Sequence, residues 1–132
     1  MPQDSNSNQL KPNGTGIARI LKAFACSVKG FRAAFKHEAA FRQELLLCIV
    51  LLPFSFVIAA SLAHWVALIS TLLLLLLVEA INSAIEALAD QISTDWHELI
   101  GRAKDLGASA VFIAFSIVIL VWVEAIYTHF IG

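Results

Sequence analysis

Charge is scarce in this sequence: Asp, Glu, Lys and Arg make up 14% of its 132 residues, against 59% hydrophobic residues. That leaves too little polar surface to cover a water-soluble globule, and a mean hydropathy of +0.80 points to an integral membrane protein. Neither sign of charge is in excess. Ten acids accompany nine bases, so no bulk attraction to nucleic acid is expected. Cysteine is limited to Cys26 and Cys48, whose spacing matches no metal or redox motif. Cys48 lies in an apolar run, where packing is the ordinary role. The opening PQDSNSNQLKPNGTG lacks the basic head, apolar stretch and cleavage site of a secretory signal. A GxxxxGK[ST] loop, a kinase glycine loop and a GxSxG elbow are all missing. Any nucleotide chemistry must therefore use another architecture.

Long apolar runs are what the chain does contain. Residues 1–15 are rich in Asn, Ser, Pro, Gly and Gln and are expected to form a disordered tail, followed by a single membrane-embedded domain over 16–132. Ile17, Ile20, Leu21, Phe24, Val28, Phe31 and Phe35 recur at helical spacing, interleaved with Arg19, Lys22, Lys29, Arg32 and Lys36. The pattern predicts a basic amphipathic helix over about 16–37, lying on an anionic membrane face or packed on protein, with Gly30 as a potential kink. Three spans follow, at about 41–60, 65–90 and 107–130, each near or above the roughly 20 residues a crossing needs. Pro53 is tolerable in the first of them when neighbours satisfy the freed carbonyl. A Ser61–His64 link and a polar segment 91–107 separate the spans. Within the latter, Asp95-Trp96-His97-Glu98 has capping-box spacing with Asp95 as N-cap. Trp65, Trp96, Trp122 and Tyr127 fall near the boundaries, as interfacial aromatics do. The fold class is thus an all-α membrane protein: three transmembrane helices plus an N-terminal surface helix.

All nine bases lie before residue 43 or within 91–107. The positive-inside rule then orients the chain, with the N-terminus and 91–107 cytoplasmic and with 61–64 and the C-terminus external.

Three constellations carry potential chemistry. On the second span, Glu79, Asn82, Ser83, Glu86 and Asp90 fall within an arc of roughly 100° at 3.6 residues per turn. Carboxylates with an amide oxygen are hard ligands suited to Mg²⁺. The bland alternative is a polar seam between helices, but ionisable groups at membrane depth are expensive and usually functional. Second, Glu38 to Glu44 (EAAFRQE) joins the surface helix to the first span. Glu38 and Arg42 have the spacing of a simple ion pair, while Glu44 lies deeper. Third, His97-Glu98 and Arg102-Ala-Lys104-Asp105 offer bases for phosphate oxygens, or merely a solvated loop. Isolated His64 and His97 make no metal site, and His129 is expected at the interface.

Taken together, the segments EAAFRQE (38–44), EAINSAIEALAD (79–90) and HELIGRAKD (97–105) closely resemble the prokaryotic diacylglycerol kinase family, over about residues 14–130. The resemblance implies a homotrimer of three-span subunits in the cytoplasmic (inner) membrane. It implies transfer of the ATP γ-phosphoryl group to diacylglycerol with Mg²⁺, giving phosphatidic acid. Glu79 then looks like the catalytic base, and Glu38 and Glu86 like the metal carboxylates. Asn82 and Asp90 line the site. Arg19, Cys26, Asp95, His97, Lys104 and Asp105, with Glu38 and Glu86, look like the nucleotide contacts. Arg19, Arg32, Arg42, Gln43, Glu44 and the outer-end Trp122, with Glu79, look like the lipid side. The chain departs from the family pattern at Cys26, where an aromatic is common, at Ala89, and at Ala108, whose expected serine comes one place later.

Glu79 stands about two turns, roughly 10 Å, deeper than Glu86. The metal end would therefore meet a cytosolic nucleotide and the base end a lipid hydroxyl. Two other readings stay open: a polyprenol kinase of the same fold acting on a lipid such as undecaprenol, and a non-enzymatic channel or assembly subunit whose acids line a pore.

Overall fold

The computed structural model describes residues 14–132. The tail expected over 1–15 falls, but for its last two residues, outside the described residues. The chain divides into two compact units at Ala33 and Ala34.

In the first unit, Gly14 and Gly16 adopt φ of 64° and 62°, in the left-handed region open to glycine. They lead into α1, Ile17–His37, which is helical without interruption through Gly30. The expected kink is therefore not formed. No residue of α1 is buried, and Ile17, Ile20, Leu21, Phe24 and Phe31 are all well exposed. An apolar stripe left uncovered along a basic helix is what a membrane face would cover.

The second unit contains α2 (Ala39–Ile58), α3 (Leu62–Ile92) and α4 (Glu98–Phe130). All three are long and apolar enough to cross a membrane. Among the described residues no strand occurs. At 1.5 Å per residue, α2 is about 30 Å long, α3 about 46 Å and α4 about 50 Å. A hydrocarbon layer is about 30 Å thick, so α3 and α4 are long enough to project beyond it.

This length corrects two sequence expectations. The Ser61–His64 link is shorter, because the Ser61 side chain caps α3 by accepting from the His64 N–H at 3.1 Å. His64 and Trp65 are thereby inside the helix. The polar segment 91–107 is not one loop either. Only residues 93–97 separate α3 from α4, and Arg102, Lys104 and Asp105 are helical. Residues 98–106 contain no proline and several strong helix formers, so their polar composition does not end the helix. The N-cap of α4 is His97, without a side-chain cap bond, and not Asp95. The Asp95 N–H instead donates to Ser93 Oγ at 3.0 Å.

α3 packs chiefly on α4 and secondarily on α2, while α2 barely touches α4. The core runs through Cys48 and Ile58 of α2, Leu68, Leu72 and Leu75 of α3, and Ala114, Val118, Trp122 and Ala125 of α4. Between membrane helices such contacts act through close packing and dispersion, since lipid is as apolar as leucine. Trp122 is 5% exposed, and its Nε1 donates to Thr71 Oγ1 at 3.2 Å. It is therefore a core residue of the α3–α4 seam and not an exposed interfacial aromatic. Trp65 donates to Ser55 Oγ at 3.0 Å, tying the start of α3 to α2 two residues past Pro53.

Candidate active site

The acids of α3 fall where the helix changes from a purely apolar run to a mixed one. Glu79, Asn82 and Ser83 are all buried, on the face that also carries Leu68, Leu72 and Leu75. The same helical periodicity that buries leucines deeper in the span buries these polar groups. Glu79 is 3% exposed. Its Oε1 accepts a long hydrogen bond from Ser83 Oγ at 3.4 Å, one turn away, which fixes the direction of the carboxylate.

Other acids converge on Glu79 from two elements. Glu86 on α3, Glu38 at the N-cap of α2 and Glu44 on α2 all lie close enough to interact electrostatically with it. Glu44 is 5% exposed and its Oε2 is a buried oxygen with no hydrogen-bond partner in the protein. An unpartnered buried acceptor beside a second buried carboxylate is costly. A cation or a substrate hydroxyl would relieve both problems.

Asn82 is turned differently from the sequence expectation. Its Nδ2 donates to Glu86 Oε1 at 3.2 Å, while Oδ1 is buried and unpartnered, against Gly107 of α4. The reverse amide orientation would set two acceptor oxygens against each other, so Glu86 decides it. In this arrangement Asn82 orients Glu86 and its amide oxygen is directed away from it. The expected Glu38–Arg42 pair is likewise absent. Arg42 Nη1 donates to the Phe35 and Lys36 carbonyls at 2.8 and 3.2 Å, closing the last turn of α1. That leaves Glu38, half-buried, available to the acidic group.

At the far end of α3, Asp90 reaches across the turn to Lys104 of α4, with Oδ1 and Nζ 2.6 Å apart. These two residues line a concave surface with Ser93, Thr94, Asp95, Trp96, His97, Ile100 and Gly101. The surface is open and amphipathic and has both charges. Its position beside the helix turn brings together Asp90, Asp95, His97 and Lys104. It also includes Trp96, 84% exposed, which the sequence suggested only as an interfacial aromatic. The signal was present, since Trp96 sits between Asp95 and His97.

Other expected residues lie elsewhere. Arg42 and Gln43 are exposed on the first turn of α2, and Asp105 is exposed on α4. Arg19 and Cys26 line a shallow groove with Lys22 and Ala23 within the first unit, where Arg32 is also exposed. Trp122 lies in the core against Thr71, about 12 Å along α3 from Glu79 by helical rise.

Among the described residues, no three His, Cys, Asp or Glu side chains are gathered into a ready cage for a metal ion. The donor chemistry nevertheless suits Mg²⁺. That ion prefers oxygen ligands and is commonly held by one or two carboxylates plus substrate phosphates, without an all-protein cage.

Comparison with known proteins converges on one family. The profile described as "Prokaryotic diacylglycerol kinase" matches residues 25–126. The "Diacylglycerol kinase" of Escherichia coli (strain K12) is 46% identical over 121 residues, covering 89% of this chain and 97% of that protein. The protein of the same name from Pseudomonas aeruginosa is 45% identical over 108 residues, covering 82% and 88%. That from Helicobacter pylori (strain 26695) is 32% identical over 114 residues, covering 86% and 89%.

Proposed function

Because the chain belongs to the prokaryotic diacylglycerol kinase family, we propose that it transfers the ATP γ-phosphoryl group to the free hydroxyl of diacylglycerol, making phosphatidic acid. The observation that carries this reading is the buried Glu79 with Glu38, Glu44 and Glu86 around it, where the apolar run of α3 gives way to mixed composition. A water-soluble donor and an oil-soluble alcohol can meet only at such a boundary.

Phosphoryl transfer needs alignment and neutralisation of charge more than covalent help from the protein. Glu79 accepts the proton of the lipid hydroxyl as that oxygen attacks the γ-phosphorus. The bond from phosphorus to the β–γ bridging oxygen breaks, and ADP leaves with that electron pair. The Ser83 hydroxyl holds the Glu79 carboxylate in register. Glu44, buried and close enough to Glu79 to interact with it electrostatically, lines the lipid side of the site. Glu38 and Glu86 would hold Mg²⁺, whose chemical contribution is to offset the negative charge of the triphosphate. Lys104 adds a point charge for phosphate oxygens, while Asp95, Trp96 and His97 line the nucleotide side. Arg19, Cys26 and Asp105 complete the proposed nucleotide contacts, and Arg32, Arg42 and Gln43 the proposed lipid contacts, while Trp122, buried against Thr71, is assigned to the core.

The proposed setting is the cytoplasmic membrane, with residues 93–97 and the N-terminus inside and Ser61 and the C-terminus outside. Support comes from the placement of all nine bases. A homotrimer is the proposed assembly. The support for it is the resemblance to the prokaryotic diacylglycerol kinase family, which implies a homotrimer of three-span subunits. Residues 16–132 act as one kinase domain in this reading.

Purified protein in mixed micelles with ATP, Mg²⁺ and either diacylglycerol or undecaprenol tests the proposal. Phosphatidic acid is the expected product. Phosphorylation of undecaprenol alone would replace the acceptor, and cation flux in liposomes without ATP consumption would replace the enzyme with a channel.

A further inference from the structure

We propose that Gly107 is a positioning residue for the acidic site: its missing side chain leaves the space in which the Asn82 amide lies, and so holds Asn82 Nδ2 on Glu86. The helix glycines differ sharply in what a Cβ would meet. At Gly30 and Gly101 it would meet nothing within 4 Å. At Gly107, buried on α4, it would overlap Asn82 Oδ1 and lie 3.4 Å from Asn82 Cγ and 3.7 Å from Ile85 Cδ1. Glycine weakens a helix interior relative to alanine, so Gly107 is unfavourable for α4 alone and makes sense through its neighbour.

The atom in the way decides the consequence. Asn82 Oδ1 is the end of a side chain with two rotatable torsions and is itself unpartnered, so the 3.2 Å bond from Nδ2 to Glu86 Oε1 is what a turn of the amide would break. Gly107 belongs to a helix packed along its length against α3. When a methyl group is added at 107, the amide turns and the helices stay. Because Oδ1 and Nδ2 are rigidly joined, that turn withdraws Nδ2 from Glu86 Oε1, now 3.2 Å away. Glu86 then loses the contact that directs its carboxylate. Gly107 touches no reacting atom and acts only through Asn82.

This inference rests on the assignment of Glu86 to the magnesium–nucleotide side. The test therefore has one readout that does not depend on it. The chain has four asparagines, and Asn6, Asn8 and Asn13 all precede the described residues. Asparagine-selective ¹⁵N labelling in micelles thus gives a side-chain amide signal for Asn82, identified by its loss in Asn82→Ala. In the wild type, Glu86→Gln should move that signal. In Gly107→Ala the signal should be displaced already, and adding Glu86→Gln should move it little further. Gly107→Ala should keep its melting temperature and elution position, with Gly30→Ala as the control for a helix glycine in open space. In the activity assay it should raise the Mg²⁺ concentration for half-maximal rate about tenfold, the low end of the effect of losing a partner that orients a metal ligand. An Asn82 signal that is unchanged in Gly107→Ala, or a Gly107→Ala protein that fails to fold, would overturn the proposal. A magnesium titration unchanged by Glu86→Gln would sink the metal assignment alone, and the amide signal would still decide the role of Gly107.

Discussion

Lys104 Nζ lies 2.6 Å from Asp90 Oδ1, joining α3 to α4 across fourteen positions of sequence. Both side chains remain substantially exposed, at 40% and 57%. Such pairs contribute only about 0–1 kcal/mol to stability. The contact is better understood as holding the Lys104 ammonium at the concave surface beside Asp95 and His97. Lys104→Met should leave the melting temperature within a few degrees. It should raise the KM for ATP about tenfold, corresponding to loss of one charge-assisted hydrogen bond of about 1.5 kcal/mol. Steady-state kinetics together with a thermal melt separates the two effects.

Glu86 receives the Asn82 amide and repels Glu79. Glu86→Gln keeps the size of the side chain and removes its charge. The Mg²⁺ needed for half-maximal activity should then rise at least tenfold, with the KM for diacylglycerol little changed. A magnesium titration at saturating lipid measures this.

Trp122 is a different kind of residue. Its indole is buried and its N–H is satisfied by Thr71. Trp122→Ala should destabilise the fold by about 3 kcal/mol through the cavity left behind. Trp122→Phe and Thr71→Val should each cost about 1 kcal/mol by breaking the hydrogen bond. Equilibrium unfolding in mixed micelles gives these values. A rise in lipid KM without loss of stability in Trp122→Phe would show that the indole serves the substrate and not the core.

Orientation is measurable with single cysteines. In a Cys26→Ser, Cys48→Ala background, Thr94→Cys should react with an impermeant thiol reagent only after the cytoplasmic side is opened. Ala60→Cys should react in intact cells. Both positions are exposed.

Much of this fold was legible from the sequence because its signals are local. The basic residues and the apolar spacing of Ile17 to Phe35 define α1. Uninterrupted apolar composition defines the three spans to within a few residues at most ends. The acidic stripe on α3 follows from periodicity alone. What could not be read was contact between distant positions. Glu38 and Arg42 have the spacing of an ion pair, yet Arg42 bonds the end of α1. Asn82 offers an oxygen by residue type, yet its oxygen faces Gly107 and its nitrogen faces Glu86. Trp122 sits where interfacial tryptophans sit, and only the packing of α3 on α4 buries it. Polar composition over 91–107 does not mark a helix end, since charged residues such as Arg102 and Lys104 are themselves good helix formers.

The central claim is that the buried Glu79 carboxylate takes the proton of the lipid hydroxyl, and Glu79→Gln tests it most directly. The substitution preserves shape and an acceptor for Ser83 Oγ, so assembly, melting temperature and nucleotide binding should persist. Single-turnover transfer from labelled ATP to diacylglycerol, with Mg²⁺ saturating, should slow by about 10²–10⁴-fold. Transfer at a rate near that of the unsubstituted protein would contradict the claim.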